Sequence, residues 1–160
     1  MIETISRRLA LSIKTAYPKA DIEIIEFELG RKINHYSIIV GTMIIGFLSG
    51  HFFSSIIGMI LFAFARKLTG GIHFNLTVCT FVSVGLFSII PVIHMSTSLV
   101  VILSILTSIF FMITSINKDK AWLISVVSIA NISMVSSTVV LALLAQMILL
   151  LPLRGGDFYE

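Results

Sequence analysis

The sequence predicts an all-α protein: a polytopic membrane helix bundle of about six short transmembrane helices, preceded by an N-terminal amphipathic interfacial helix. Three observations predict it. Of 160 residues, 57% are hydrophobic and 12% charged, with a mean hydropathy of +1.07, whereas about a quarter of the residues in a soluble domain are charged. The nineteen acidic and basic residues leave 33–65, 68–117 and 121–153 entirely uncharged, and about 20 apolar residues suffice to span a bilayer. Residues 2–16 repeat apolar side chains at helical spacing. This composition excludes a soluble enzyme, a nucleic-acid binder and a disordered chain, and it makes the net charge of +3 a matter of topology. The chain reads as one integral membrane domain, 1–160.

The first element is the amphipathic helix, within 1–17. Ile2, Ile5, Leu9, Ile13 and Ala16 form its apolar stripe, and Arg7, Arg8 and Lys14 lie elsewhere on the wheel. Such a helix lies in the lipid interface with its cations near anionic head groups, or it packs on the rest of the protein; periodicity does not separate the two. No cleavable signal peptide is expected, because the first adequate apolar run begins near Ile33. Pro18 ends the first helix. Asp21 then caps a second, with Glu23 in its first turn at the positive end of the helix dipole. That helix is expected to run through Arg31 and Lys32 into the membrane.

Each uncharged stretch is read as a membrane-embedded hairpin of two spans. This count returns every basic cluster, at 7–32, 66–67, 118–120 and 154, to one face, which the positive-inside tendency makes cytoplasmic. The far-side turns are expected near 49–51, 91–98 and 131–133, where Gly, Pro, Ser and Asn supply turn chemistry. Two spans in 33 residues leave about 24 Å each against a core of about 30 Å, so the helices must be short or tilted or the lipid thinned. A four-span alternative puts Arg66 and Lys67 opposite Arg31 and Lys32. Gly46 with Gly50, and Ser54 with Gly58, form small-residue pairs that let helices approach closely.

Chemistry concentrates between Arg66 and Cys79. These fourteen residues hold Arg66, Lys67, the double glycine Gly70-Gly71, His73, Asn75 and the only cysteine. A nucleophilic cysteine acts as its thiolate, which a nearby histidine base and an electropositive setting promote. On a continuous helix His73 and Cys79 would be separated by about 9 Å of rise and about 120° of rotation. A dyad therefore requires His73 on a loop folded over the next helix, and Gly70-Gly71 makes that loop feasible because glycine accepts positive φ. Asn75 is the expected N-cap of that helix, with Thr77 as runner-up. Cys79 then lies in the first turn or just beyond, where the helix dipole favours a thiolate. The competing account makes Arg66-Lys67 an ordinary basic loop, Gly-Gly a turn and Cys79 a small packing residue. The other histidines, His35, His51 and His94, sit near span ends without a metal-ligand spacing, so no metal site is expected.

The Arg66…Gly70-Gly71-Ile72-His73…Cys79 core resembles that of the accessory gene regulator B (AgrB) family of membrane cysteine endopeptidases from Gram-positive bacteria. The amphipathic start, the segment Ile116-Asn117-Lys118-Asp119-Lys120 and the end from Ala145-Gln146 to Leu151-Pro152-Leu153 are similar to the family as well. The resemblance implies Cys79 as nucleophile and His73 as general base. Arg66, Lys67, Gly70, Gly71 and Asn75 would bind substrate or shape the loop. It further implies cleavage of a small AgrD-like propeptide on the C-terminal side of its future signal, and cyclisation to a thiolactone or lactone autoinducing peptide for quorum sensing. The implied location is the bacterial cell membrane, multi-pass, with the N-terminus and basic loops cytoplasmic. The implied partners are the AgrD-like propeptide and membrane lipid, without nucleic acid and without a cofactor; a homo-oligomer is left open. In one respect the chain departs from the family: five residues, from Phe74 to Val78, separate His and Cys where members usually have six. A divergent enzyme, a shifted geometry and an inactive relative all fit that spacing. The alternative from another class is a non-catalytic small polytopic protein, such as a transporter subunit or pore. The lack of ionisable residues other than histidine within the spans weighs against a transporter of charged substrates.

Overall fold

In the computed structural model, which describes residues 1–70, 75–114 and 118–150, with backbone alone at 114 and 118–121, every regular element is helical. The helices are α1 (Ile2–Ala16), α2 (Ile22–Leu48), α3 (Phe52–Thr69), α4 (Leu76–Ile89), α5 (Thr97–Thr114), α6 (Lys118–Met134) and α7 (Ser137–Leu150), with a 3₁₀ turn at Ile90–Val92. Asp21 caps α2 by accepting the N–H of Glu23 at 2.9 Å, and α2 continues unbroken past Arg31 and Lys32.

The three uncharged stretches correspond to α2–α3, α4–α5 and α6–α7. The first turn lies where it is expected: Gly50, at φ 74, turns the chain between α2 and α3. The second is the 3₁₀ turn and the residues up to α5, pinned by the N–H of Met95 donating to Ser137 Oγ at 3.1 Å. The third falls later than the sequence suggests. Asn131 is buried in the last turns of α6, and the chain turns at Val135, where φ is 49. The Asn131 side chain bonds both backbone groups of Ser136, which lets a non-glycine residue adopt positive φ.

Contacts along the helices fix their relative directions. Gly46 faces Ser55 across the α2–α3 hairpin, and a Cβ there would lie 3.0 Å from the Ser55 side chain. Gly41 faces Val84, and Thr80 donates to Asn34 Oδ1 at 2.6 Å, so α2 and α4 run parallel. Gly58 faces Thr138, and Gln146 bonds Thr69, so α3 and α7 also run parallel. Ser125 bonds Ser108, Thr107 bonds Ser128 and Asn131 bonds Ser104, which makes α5 and α6 antiparallel. Consequently Arg31 and Lys32, Arg66 and Lys67, and the start of α6 lie at one end of the bundle.

A cluster of Ala65, Phe111, Ile124, Val139 and Leu143 joins α3, α5, α6 and α7. Much of the remaining interior is polar: Thr42, Ser55, Thr69, Ser104, Thr107, Ser128, Asn131 and Gln146 are all essentially inaccessible. The exterior is apolar, with Phe47, Leu48, Phe53, Phe81, Ile113 and Met134 each more than two-thirds exposed. On α1 the buried residues are Ile2, Ser6 and Ala10, while Ile5, Leu9 and Ile13 of the expected stripe stay exposed. By length and composition, Phe52–Thr69 is long and apolar enough to cross a membrane; Leu76–Val92, Thr97–Ile113, Trp122–Met134 and Ser137–Leu150 are shorter apolar helices.

Candidate functional site

The site is built on the beginning of α4. Asn75 is its N-cap: the side-chain carbonyl accepts the N–H of Val78 at 3.3 Å, and the backbone carbonyl accepts that of Cys79 at 2.9 Å. Cys79 is thus the fourth residue of the helix, just beyond its first turn. The N–H of Thr77 is taken by a residue distant in sequence, donating to Glu3 Oε1 at 2.9 Å. The Thr77 hydroxyl donates to the other oxygen of the same carboxylate and accepts the N–H of Ile2 at 3.0 Å. These bonds from the Thr77 hydroxyl and then its N–H hold the Glu3 carboxyl at about 2, well below the usual 4.5. On the α2 side, the Thr80 hydroxyl is shared between Asn34 Oδ1 and the carbonyl of Leu76. Gly30 allows the close approach of α1, α2 and α4, since a Cβ there would meet Leu76 at 2.7 Å and Ser6 Oγ at 3.3 Å. The helix carrying the cysteine is therefore anchored from three directions.

Cys79 is half-buried and lines a cavity of about 180 Å³ between α3, α4 and α7. Phe62 of α3, Val82 and Leu86 of α4, and Ile148 and Leu149 of α7 give it an apolar wall. Its polar atoms come from Arg66, Cys79 and Ser83, and Ser83 Oγ lies 4.0 Å from Cys79 Sγ. A thiol in this setting has three attributes of a nucleophile site: the start of a helix, a guanidinium on the same cavity, and limited access for water.

Of the residues picked out from sequence, Arg66 and Cys79 are brought to one cavity and Asn75 is the cap. Gly70 ends α3 with φ 74, and its N–H donates to the carbonyl of Arg66 at 2.9 Å. Lys67 is exposed and is not among the residues lining the cavity. Gly71 and His73 lie outside the described residues, as do 115–117 and 151–160, so the dyad belongs to the proposal below. Two participants were missed by sequence reasoning. Glu3 carries no local signal, because its partner is 74 positions away. Gln146 does carry one: it is a lone amide in an uncharged apolar helix. Its Nε2 donates to Thr69 Oγ1 at 2.9 Å and to the Gly70 carbonyl at 2.7 Å. No family model matches the chain, and neither does any curated protein or any solved structure.

Proposed function

We propose that this is a multi-pass bacterial membrane protein in which α2 to α7 cross the bilayer as three hairpins, with α1 at the cytoplasmic interface, and that it is an AgrB-like cysteine endopeptidase. The membrane assignment is supported by the inverted distribution of polarity, since large apolar side chains cover the outside while hydroxyls and amides fill the seams. The grouping of Arg31, Lys32, Arg66 and Lys67 at one end supports the orientation. The exposed Ile5, Leu9 and Ile13 favour an interfacial α1, which also packs on the bundle through Ile2, Ser6 and Ala10.

One observation carries the catalytic reading: the only cysteine lies at the start of a capped helix, on a cavity it shares with Arg66, directly after the connection bearing Gly71 and His73. In the proposed reaction His73 takes the thiol proton, and Cys79 Sγ attacks the carbonyl carbon preceding the scissile bond of an AgrD-like propeptide. The C–N bond breaks, His73 returns the proton to the departing amine, and the N-terminal part of the propeptide stays on Cys79 as a thioester. A cysteine or serine within the propeptide then attacks that thioester, closing the thiolactone or lactone ring and regenerating the Cys79 thiol. The apolar wall serves this second step. Water is kept from the thioester while the tethered nucleophile acts at high effective concentration.

The test is co-expression with an AgrD-like propeptide from a neighbouring reading frame, read by mass. The native chain is expected to release the C-terminal fragment, and Cys79→Ala and His73→Ala to release none. An acyl adduct 's mass on Cys79 is the direct signature. Release by both variants overturns the mechanism.

A further inference from the structure

We propose that Gln146 is a positioning residue for this site: its amide fixes how the chain leaves α3 and so sets the placement of the connection that carries the base. The inference rests on the reading of Cys79 and His73 given above. Gln146 is wholly buried on α7, yet it makes no bond within its own helix. Both of its N–H bonds go to the last residue of α3 and to the cap that follows. Thr69 Oγ1 receives one while donating its own proton to the carbonyl of Ala65 at 2.9 Å; the Gly70 carbonyl receives the other. Gly70 is at φ 74, a conformation that aims its carbonyl out of the helical path, and Gln146 is what meets that carbonyl. The peptide leaving Gly70 leads through four residues, His73 among them, to Asn75, the cap of the Cys79 helix. Across the cavity, Ala145, Ile148 and Leu149 of the same α7 segment line the wall opposite Cys79. One helix thus holds both the exit of the connection and a wall of the site.

Stability alone gives no reason for an amide here. Gln146 Oε1 is buried and accepts no hydrogen bond among the described residues, and an unpaired buried acceptor is unfavourable. Methionine has nearly the same length and shape and would fill the space without that penalty. What methionine cannot supply is the pair of donors to Thr69 and Gly70.

Cys79 is the only cysteine, so its alkylation by iodoacetamide reports on the site without any substrate. The full-length chain in lipid nanodiscs would be alkylated across pH 5 to 9, as native protein, His73→Ala, Gln146→Met and Gln146→Glu. Among the described residues, Arg66 is the one other ionisable side chain lining the cavity, so an inflection in the histidine range that His73→Ala abolishes belongs to the dyad. Gln146→Met is expected to lose that inflection too, with alkylation near neutral pH slowed about tenfold, while its melting temperature stays native. Gln146→Glu, whose buried carboxyl remains protonated and keeps one donor, is expected to recover part of it. If Gln146→Met keeps the native profile, the positioning role is wrong and the dyad stands. If native protein and His73→Ala share one profile, the dyad itself is wrong. A Gln146→Met chain that melts lower while retaining the inflection identifies a purely structural amide and also overturns the inference.

Discussion

Thr77→Val tests how firmly α1 is tied to the helix that carries Cys79. Valine keeps the shape of threonine and removes the hydroxyl that donates to Glu3 and accepts the N–H of Ile2. The N–H of residue 77 still reaches Glu3 Oε1, so the clamp is weakened and not abolished. A hydrogen bond to a charged acceptor contributes about 1.5–3 kcal/mol. The Glu3 side chain is 42% exposed, and solvent screening brings the expected loss to about 1 kcal/mol, roughly a fivefold change in an opening equilibrium. Hydrogen exchange measured by mass spectrometry reads this directly. At pH 7 the amides of α1 are expected to exchange about fivefold faster in the variant, with those of α5 to α7 unchanged. The native carboxyl titrates at about 2 against an ordinary 4.5. The charged clamp is therefore complete above about 4.5 and fades as pH falls toward 2, so the variant and native chains converge over that window. Equal α1 protection at pH 7, or a difference that persists undiminished below pH 2, refutes the clamp.

Gly46→Val would place new carbon 3.0 Å from the side chain of Ser55 and 3.3 Å from the Cα of Phe52; overpacking of this kind costs about 1–3 kcal/mol, seen as a lower melting temperature in detergent, and an unchanged one denies the close α2–α3 contact. Asn34→Leu removes the acceptor 2.6 Å from the Thr80 hydroxyl, which keeps the Leu76 carbonyl, so the loss is about 1 kcal/mol. Ile113→Ala, at a position 70% exposed on α5, is expected to leave the melting temperature unchanged; equal effects of these two substitutions would contradict the packing. For topology, single cysteines introduced in a Cys79→Ser background at Lys67 and at Ser49 are expected to react with an impermeant maleimide from opposite sides of the membrane. Labelling from the same side rules out the first hairpin as a double crossing.

What the sequence made legible was whatever is written locally. Asp21 and Asn75 are caps because a short polar side chain before an apolar run has one good use, and both were identifiable from that alone. The 49–51 turn was readable from glycine. The third turn was misplaced because Asn131 was taken for a turn former, whereas it lies inside α6 and bonds forward to Ser136. The same limit applies to small-residue pairs: Gly46 makes the close contact, with Ser55 and not with a partner of its own motif, while Gly50 serves the turn. At the site, the sharing of a cavity by Arg66 and Cys79 fits the motif, but neither Glu3 nor Gln146 could be assigned. Their partners lie more than seventy positions away, and no periodicity encodes a contact between helices.

The polar contacts explain why the site is where it is. In water, burying apolar surface would order these helices; in lipid the surrounding chains are as apolar as leucine, so association depends on close packing and on hydrogen bonds between helices. The seams show this division. Hydroxyls and Asn131 join α5 to α6, and Thr80 with Asn34 joins α4 to α2. Two further seams meet at the connection between α3 and α4, Gln146 holding its beginning from α7 and Glu3 holding the helix at its end from α1. A segment of four residues between two fixed anchors has little freedom in where it can place a side chain, and loop-closure entropy is lowest for such short tethers. An inserted residue between His73 and Cys79, or a missing one, is then a change in a defined geometry and not slack to be absorbed. On the proposed reading, the shorter spacing of this chain is matched by its anchors, and catalysis depends on them as much as on the two reacting groups.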